Sequence, residues 1–141
     1  MVPPNVRDFK GVFMKDALPS KSEAGASYII NLDDSEGPGT HWMGLYVAPK
    51  EAFYYDPYGL DPPREVRKFA QGVGRRPVRV NRHKHQHVAS QHCGRYVLQF
   101  LKAMNAPGDP GENFEKFTTK TFIPDDSGHN NKKIRRIYGL K

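Results

Sequence analysis

Cysteine is the scarcest chemistry in this chain: 141 residues contain one, Cys93. No intramolecular disulfide can form, and there is no Cys-x-x-Cys pair from which to build a zinc cage. A lone unpaired thiol fits a reducing, intracellular compartment. Long apolar runs are absent as well, and none approaches the length of a membrane span. The opening Met-Val-Pro-Pro-Asn lacks the basic-then-apolar order of a secretory signal, so none is expected. Internal repeats are missing, and low complexity is confined to short Gly/Pro loops. Hydrophobic residues make up only 37% of the chain, while glycine and proline together supply 25 residues. Loops must therefore be plentiful, around one core in a single domain spanning 1–141.

Acidic residues are scarce in two places. Segment 64–84 carries eight Lys/Arg against one acid, Glu65, and segment 128–141 carries five against none. The remaining chain holds nine bases and fourteen acids, so the net charge of +7 is concentrated in these two stretches. Two basic segments on a mildly acidic body suit phosphate-rich partners, bound through counterion release rather than base reading. A solvated basic face that keeps the protein soluble accounts for the same charge equally well.

What is present is organised around residues 86–104. Val97, Phe100, Leu101 and Met104 recur at i, i+3, i+4 and i+7, the apolar stripe of a helix packed on a core. Ser90 suits the N-cap, which places Cys93 in the first turn. Unpaired amides and the positive end of the helix dipole there favour a thiolate, the form a nucleophile needs. Gly94 beside it permits close approach of a substrate or a neighbouring backbone. A small buried side chain at the start of a core helix would read the same way from this stretch alone.

Upstream, 11–14 reads as a short strand and 26–32 has strand composition, followed by a loop at 33–40. Segments 42–48 and 52–56 are strands joined by Pro49-Lys50-Glu51, a length suited to a hairpin. A turn centred on Pro49 and Lys50 sets Met43 opposite Asp56 and His41 opposite Tyr58. His41 and Asp56 then share one face as diagonal neighbours at the open end of the hairpin. An aspartate on one imidazole nitrogen fixes the tautomer and stabilises the imidazolium, although an ordinary surface pair would also satisfy the pattern. Segment 64–70 reads as a short helix opened by Pro62 and Pro63. Segment 77–86 alternates, which predicts a strand feeding the cysteine helix, with Asn81, His83, His85 and His87 on one face. A further short helix is expected near 112–119, and a basic tail beyond it. His83, His85, His87, His92 and Cys93 could suggest zinc, but with no Cys pair and no His pair at helical spacing with an acid, no metal is expected.

Read in order, His41, Asp56, Gln86 and Cys93 supply what acyl transfer requires. Cys93 serves as nucleophile, His41 as general base and then acid, and Asp56 as its orienter. The Gln86 amide serves as oxyanion donor beside the Cys93 backbone N–H. The motifs His-Trp-Met at 41–43, Asp-Pro-Tyr-Gly at 56–59 and Gln-(six residues)-Cys-Gly at 86–94 resemble those of the adenovirus-type cysteine proteases (adenain). The related SUMO-specific and ubiquitin-like-protein proteases usually place five residues between Gln and Cys, a spacing that would select His87 here. Gly-Val-Phe-Met-Lys-Asp and Ala-Ser-Tyr-Ile-Ile-Asn also look like the adenain N-terminal half, so the resemblance covers about residues 13–104.

The resemblance implies an α+β fold, a mainly antiparallel sheet packed against helices, with Cys93 at the N-terminus of the core helix. It implies an endopeptidase that matures viral precursor polypeptides at Gly-containing motifs, with Trp42 and Gly94 lining the substrate channel. It places a monomer in the virion and host nucleus. Asp56 stands where adenain has Glu, and the chain is shorter after the cysteine. The second cysteine through which adenain takes a disulfide-linked activating peptide is absent. The sequence itself requires no cofactor; by resemblance a noncovalent peptide, and DNA on residues 64–84 and 132–141, are the candidates. Two other readings stand beside this one: a ubiquitin-like-protein protease or deubiquitinase, and a non-catalytic basic nucleic-acid-binding virion protein.

Overall fold

Strands form where aromatic and β-branched residues cluster, and their order builds the sheet. In the computed structural model, which describes residues 5–32, 41–86 and 93–140, these are β1 (Phe9–Met14), β2 (Ser27–Asn31), β3 (Trp42–Val47), β4 (Ala52–Tyr55) and β5 (Val78–Val80). They lie side by side in the order β1-β2-β3-β4-β5. The three central strands pair antiparallel, and an edge strand joins parallel on each side. The β3–β4 hairpin has the expected register: Gly44 faces Tyr55, Val47 faces Ala52, and Ala48 N–H donates to Glu51 O at 2.9 Å to close the turn.

Side-chain alternation assigns two cores to the two faces. On one face Tyr28, Ile30, Met43, Leu45 and Tyr54 pack on Val66, Phe69 and Ala70 of α1 (Arg64–Gln71). On the other, Ile29, Phe53 and Tyr55 pack on the stripe Val97, Phe100, Leu101 and Met104 of α2 (Cys93–Met104). Phe114 of α3 (Pro110–Lys116), Phe117 of a π-helical turn (Phe117–Thr121), Phe122 and Ile134 of α4 (Ser127–Ile137) complete that layer. The architecture is α+β, as expected. Helix α2 lies directly on β3 because β3 has a glycine there: a Cβ on Gly44 would sit 2.7 Å from Phe100 Cδ2.

One stretch differs from the sequence expectation, and a second forms an element that the sequence reading did not assign. Only Val78–Val80 of the alternating 77–86 segment is a strand, because its sole partner β4 ends at Tyr55 and the ladder stops with Tyr54 facing Val80. The basic tail is helical. Asp126 caps α4 by accepting from His129 N–H at 3.1 Å, and Asn130 and Ile134, one turn apart, form its buried side. The Ser90 cap, His87 and His92 lie outside the described residues.

Candidate active site

The hairpin delivers two side chains to its open end. His41 precedes β3, and its carbonyl accepts from Leu32 N–H at 2.8 Å, which carries the β2–β3 ladder one step further. Asp56 follows β4. His41 Nε2 lies 3.0 Å from Asp56 Oδ1, and the two residues are 7% and 1% exposed. Burying a carboxylate this deeply costs desolvation, which hydrogen-bond donors and the neighbouring imidazole offset. The His41 ring stacks on Tyr58, with centroids 4.3 Å apart and planes 10° from parallel, as the predicted register requires.

Asp56 is itself fixed on several sides. Its Oδ1 accepts from Tyr58 N–H at 2.8 Å, a local turn of the kind aspartate forms before a glycine. Asn81, just past β5, accepts from Asp56 N–H at 3.0 Å and donates to Asp56 O at 2.7 Å. This two-point clamp is where the interrupted β5 resumes its pairing by other means. Gly59 closes the turn with φ +76°, and a Cβ there would lie 2.9 Å from the backbone at His83 and Lys84. Only glycine combines that backbone with that approach.

Gln86 reaches the same place from the irregular segment that follows β5. Its N–H and that of His85 both donate to Pro57 O, at 3.0 and 2.8 Å, and the Gln86 side chain is fully buried. His41, Asp56 and Gln86 are therefore brought together around one turn, 56–59. Cys93 is the first residue of α2, and the next residue, Gly94, lies against Trp42: a Cβ on it would be 3.9 Å from the indole. Because Trp42 follows His41, the start of α2 and the His41 end of β3 lie at one end of the sheet.

Among the described residues the other sequence-proposed histidines do not gather. His83 is exposed and bonds Asp125 Oδ2 at 2.8 Å through Nδ1, whereas His85 turns inward. Among the described residues no group of three or more His, Cys, Asp or Glu could hold a metal. A groove of about 730 Å³ runs along β5 between Arg67, Arg79, Arg82 and Glu115 and does not include His41 or Asp56. Among the described residues, no helix is long and apolar enough to cross a membrane. Sequence reasoning placed Tyr58 opposite His41 and Gly59 in the Asp-Pro-Tyr-Gly motif, but it assigned no role at the site to Gly59, Asn81 or His85.

No protein-family model and no curated protein matches the chain. Two solved structures of the ASFV pS273R protease, one selenomethionine-labelled, are similar in fold, with TM-scores of 0.55 and 0.52 at 19% and 17% identity. Each match covers 82% of this chain but only 44% and 43% of the protease, so the chain spans less than half of either structure. The likeness is one of architecture.

Proposed function

We propose that the chain is a cysteine endopeptidase in which His41, Asp56, Gln86 and Cys93 act together. The observation that carries this is the buried His41–Asp56 pair at 3.0 Å, beside the end of the sheet where α2 begins with Cys93. An imidazole whose Nε2 is engaged by a carboxylate is a stronger base at its other nitrogen. In this reading His41 Nδ1 takes the Cys93 thiol proton as sulfur bonds to the scissile carbonyl carbon. The carbonyl oxygen becomes an oxyanion that Gln86 and the Cys93 N–H stabilise. Collapse expels the amine, which takes the proton from His41 and leaves a thioester. Water then attacks the thioester with His41 as base, releasing the carboxylic acid and the thiol.

The sequence motifs support a finer reading, a viral enzyme that cuts precursor polypeptides at Gly-containing sites. It also takes the basic segments 64–84 and 132–141 as a polyanion-binding surface. Supporting this, Asp125 N–H donates to Lys84 O at 2.8 Å, which ties the end of the first segment to the chain just before α4, the helix that carries the start of the second.

The test is the rate of Cys93 alkylation by iodoacetamide between about pH 4 and pH 9, on wild type and His41→Ala. Fast alkylation near pH 5 that is lost in His41→Ala is the expected result. A rate that only climbs near pH 8.5, alike in both proteins, would overturn the reading. Fluorogenic Gly-Gly peptides and ubiquitin-like reporters then separate precursor cleavage from ubiquitin-like-protein hydrolysis.

A further inference from the structure

One polar arrangement near the site has no part in the triad, and it sits one residue before Gln86. His85 is fully buried, yet both of its ring nitrogens are satisfied: Nδ1 lies 2.7 Å from the Tyr55 hydroxyl and Nε2 lies 2.8 Å from Thr118 O. A carbonyl only accepts, so Nε2 carries the hydrogen and Nδ1 accepts from Tyr55. Burial pulls the imidazole down to about 4 from its ordinary 6.5, so the ring is neutral and this tautomer persists at neutral pH. Tyr55, Phe117 and Phe122 surround it with aromatic rings.

The backbone of His85 is equally constrained. Its N–H donates to Pro57 O, and its carbonyl accepts from Asn130 Nδ2 at 3.1 Å. Asn130 belongs to α4, is fully buried, and is locked by a further pair of bonds to Ile123 N–H and O. Beyond Val80 no strand ladder or helix holds the described residues 81–86. The position of Gln86 therefore rests on its own N–H bond to Pro57 O together with these bonds, which come from the 56–59 turn, β4, the π-helical turn and α4.

We infer that His85 is a positioning residue: bridged between Tyr55 and Thr118 and tied by its carbonyl to Asn130 of α4, it sets where the Gln86 amide meets the developing oxyanion. This rests on the cysteine-protease reading. An apolar side chain could fill the same volume but could not fix the ring's height between a strand and a helical turn. A bridge with one donor and one acceptor does. An amide donor displaced by about an ångström forfeits on the order of a hundredfold in rate.

The experiment compares wild type, His85→Phe, His85→Gln, Tyr55→Phe, Gln86→Ala and the His85→Phe/Gln86→Ala double variant in the full chain. It follows hydrolysis of a fluorogenic Gly-Gly peptide and alkylation by iodoacetamide. Alkylation by simple displacement passes through no oxyanion, so it reports the thiol and His41 alone. His85→Phe should lower kcat by about ten- to a hundredfold with KM little changed and leave the alkylation rate within about twofold. It should add nothing in the Gln86→Ala background, and His85→Gln, which keeps a donor and an acceptor, should recover most of the loss. Tyr55→Phe, which removes one hydroxyl from an otherwise intact ring, should show the same pattern more weakly and serves if His85→Phe does not fold. Losses of alkylation and hydrolysis in step, or losses that add to those of Gln86→Ala, overturn the inference. So does a lower melting temperature with unchanged kcat. An inactive wild type, with an ordinary thiol and no hydrolysis, overturns the protease reading itself.

Discussion

Asp56 carries more of the site than any other single residue. One carboxylate oxygen serves both the His41 ring and the Tyr58 amide, and its backbone is held by Asn81 at both N–H and C=O. Asp56→Asn keeps an acceptor for the Tyr58 amide but loses the charge that stabilises the imidazolium. We expect melting by circular dichroism to change little, while kcat on a Gly-Gly peptide falls by about 10³- to 10⁴-fold. Alkylation near pH 6 should slow in the same variant, because less of the thiol is held as thiolate. Aspartate is shorter than the glutamate that the adenain resemblance implies. Here the hairpin register sets the two residues side by side, and His41 Nε2 lies 3.0 Å from Asp56 Oδ1.

At the scale of elements, two contacts decide whether the site forms. Helix α2 reaches β3 through Gly44, and the Phe100 ring that occupies that space is packed by Tyr55, Phe114 and Phe117. With the ring unable to retreat, Gly44→Ala should cost about 1–3 kcal/mol in urea unfolding and push the start of α2 away from Trp42. The second contact is His85. Its folded pKa of about 4 lies below the unfolded 6.5, so between those values the unfolded chain binds a proton that the native protein does not. Its contribution is fully present above pH 6.5 and is lost as pH falls towards 4, by roughly 3 kcal/mol in all. Unfolding midpoints measured across that window should show this slope in wild type, and His85→Gln should flatten it.

Legibility differed between elements for a physical reason. The hairpin and α2 could be read because each buries a strict pattern, period two in 42–55 and i, i+3, i+4, i+7 in 97–104. Helix α4 could not, since its buried side is Asn130 followed by Ile134 and an asparagine does not register as apolar. The alternation in 77–86 misled because a strand extends only as far as its partner, and β4 stops at Tyr55.

For the whole molecule, the +7 charge sets association rather than fold. Binding of duplex DNA, followed by fluorescence anisotropy, should weaken linearly in log Kd against log salt. Each Lys/Arg→Gln change within 64–84 or 132–141 that removes a phosphate contact should reduce that slope by about 1. A salt-independent anisotropy, or none at low salt, would remove the polyanion-binding proposal.

The sequence by itself determined the hairpin register, which puts His41 and Asp56 at its open end, and a core helix with Cys93 in its first turn. These follow from local periodicity and turn chemistry, which depend on neighbours within a few residues. Only the tertiary structure decided that Asn81 clamps Asp56, that Gly59 lies on the backbone at 83–84, and that Asn130 and Thr118 hold His85 ahead of Gln86. Apart from the Gly59 approach, those are bonds between single polar groups 25 to 45 residues apart, and a polar residue carries no periodic mark of the partner it will meet.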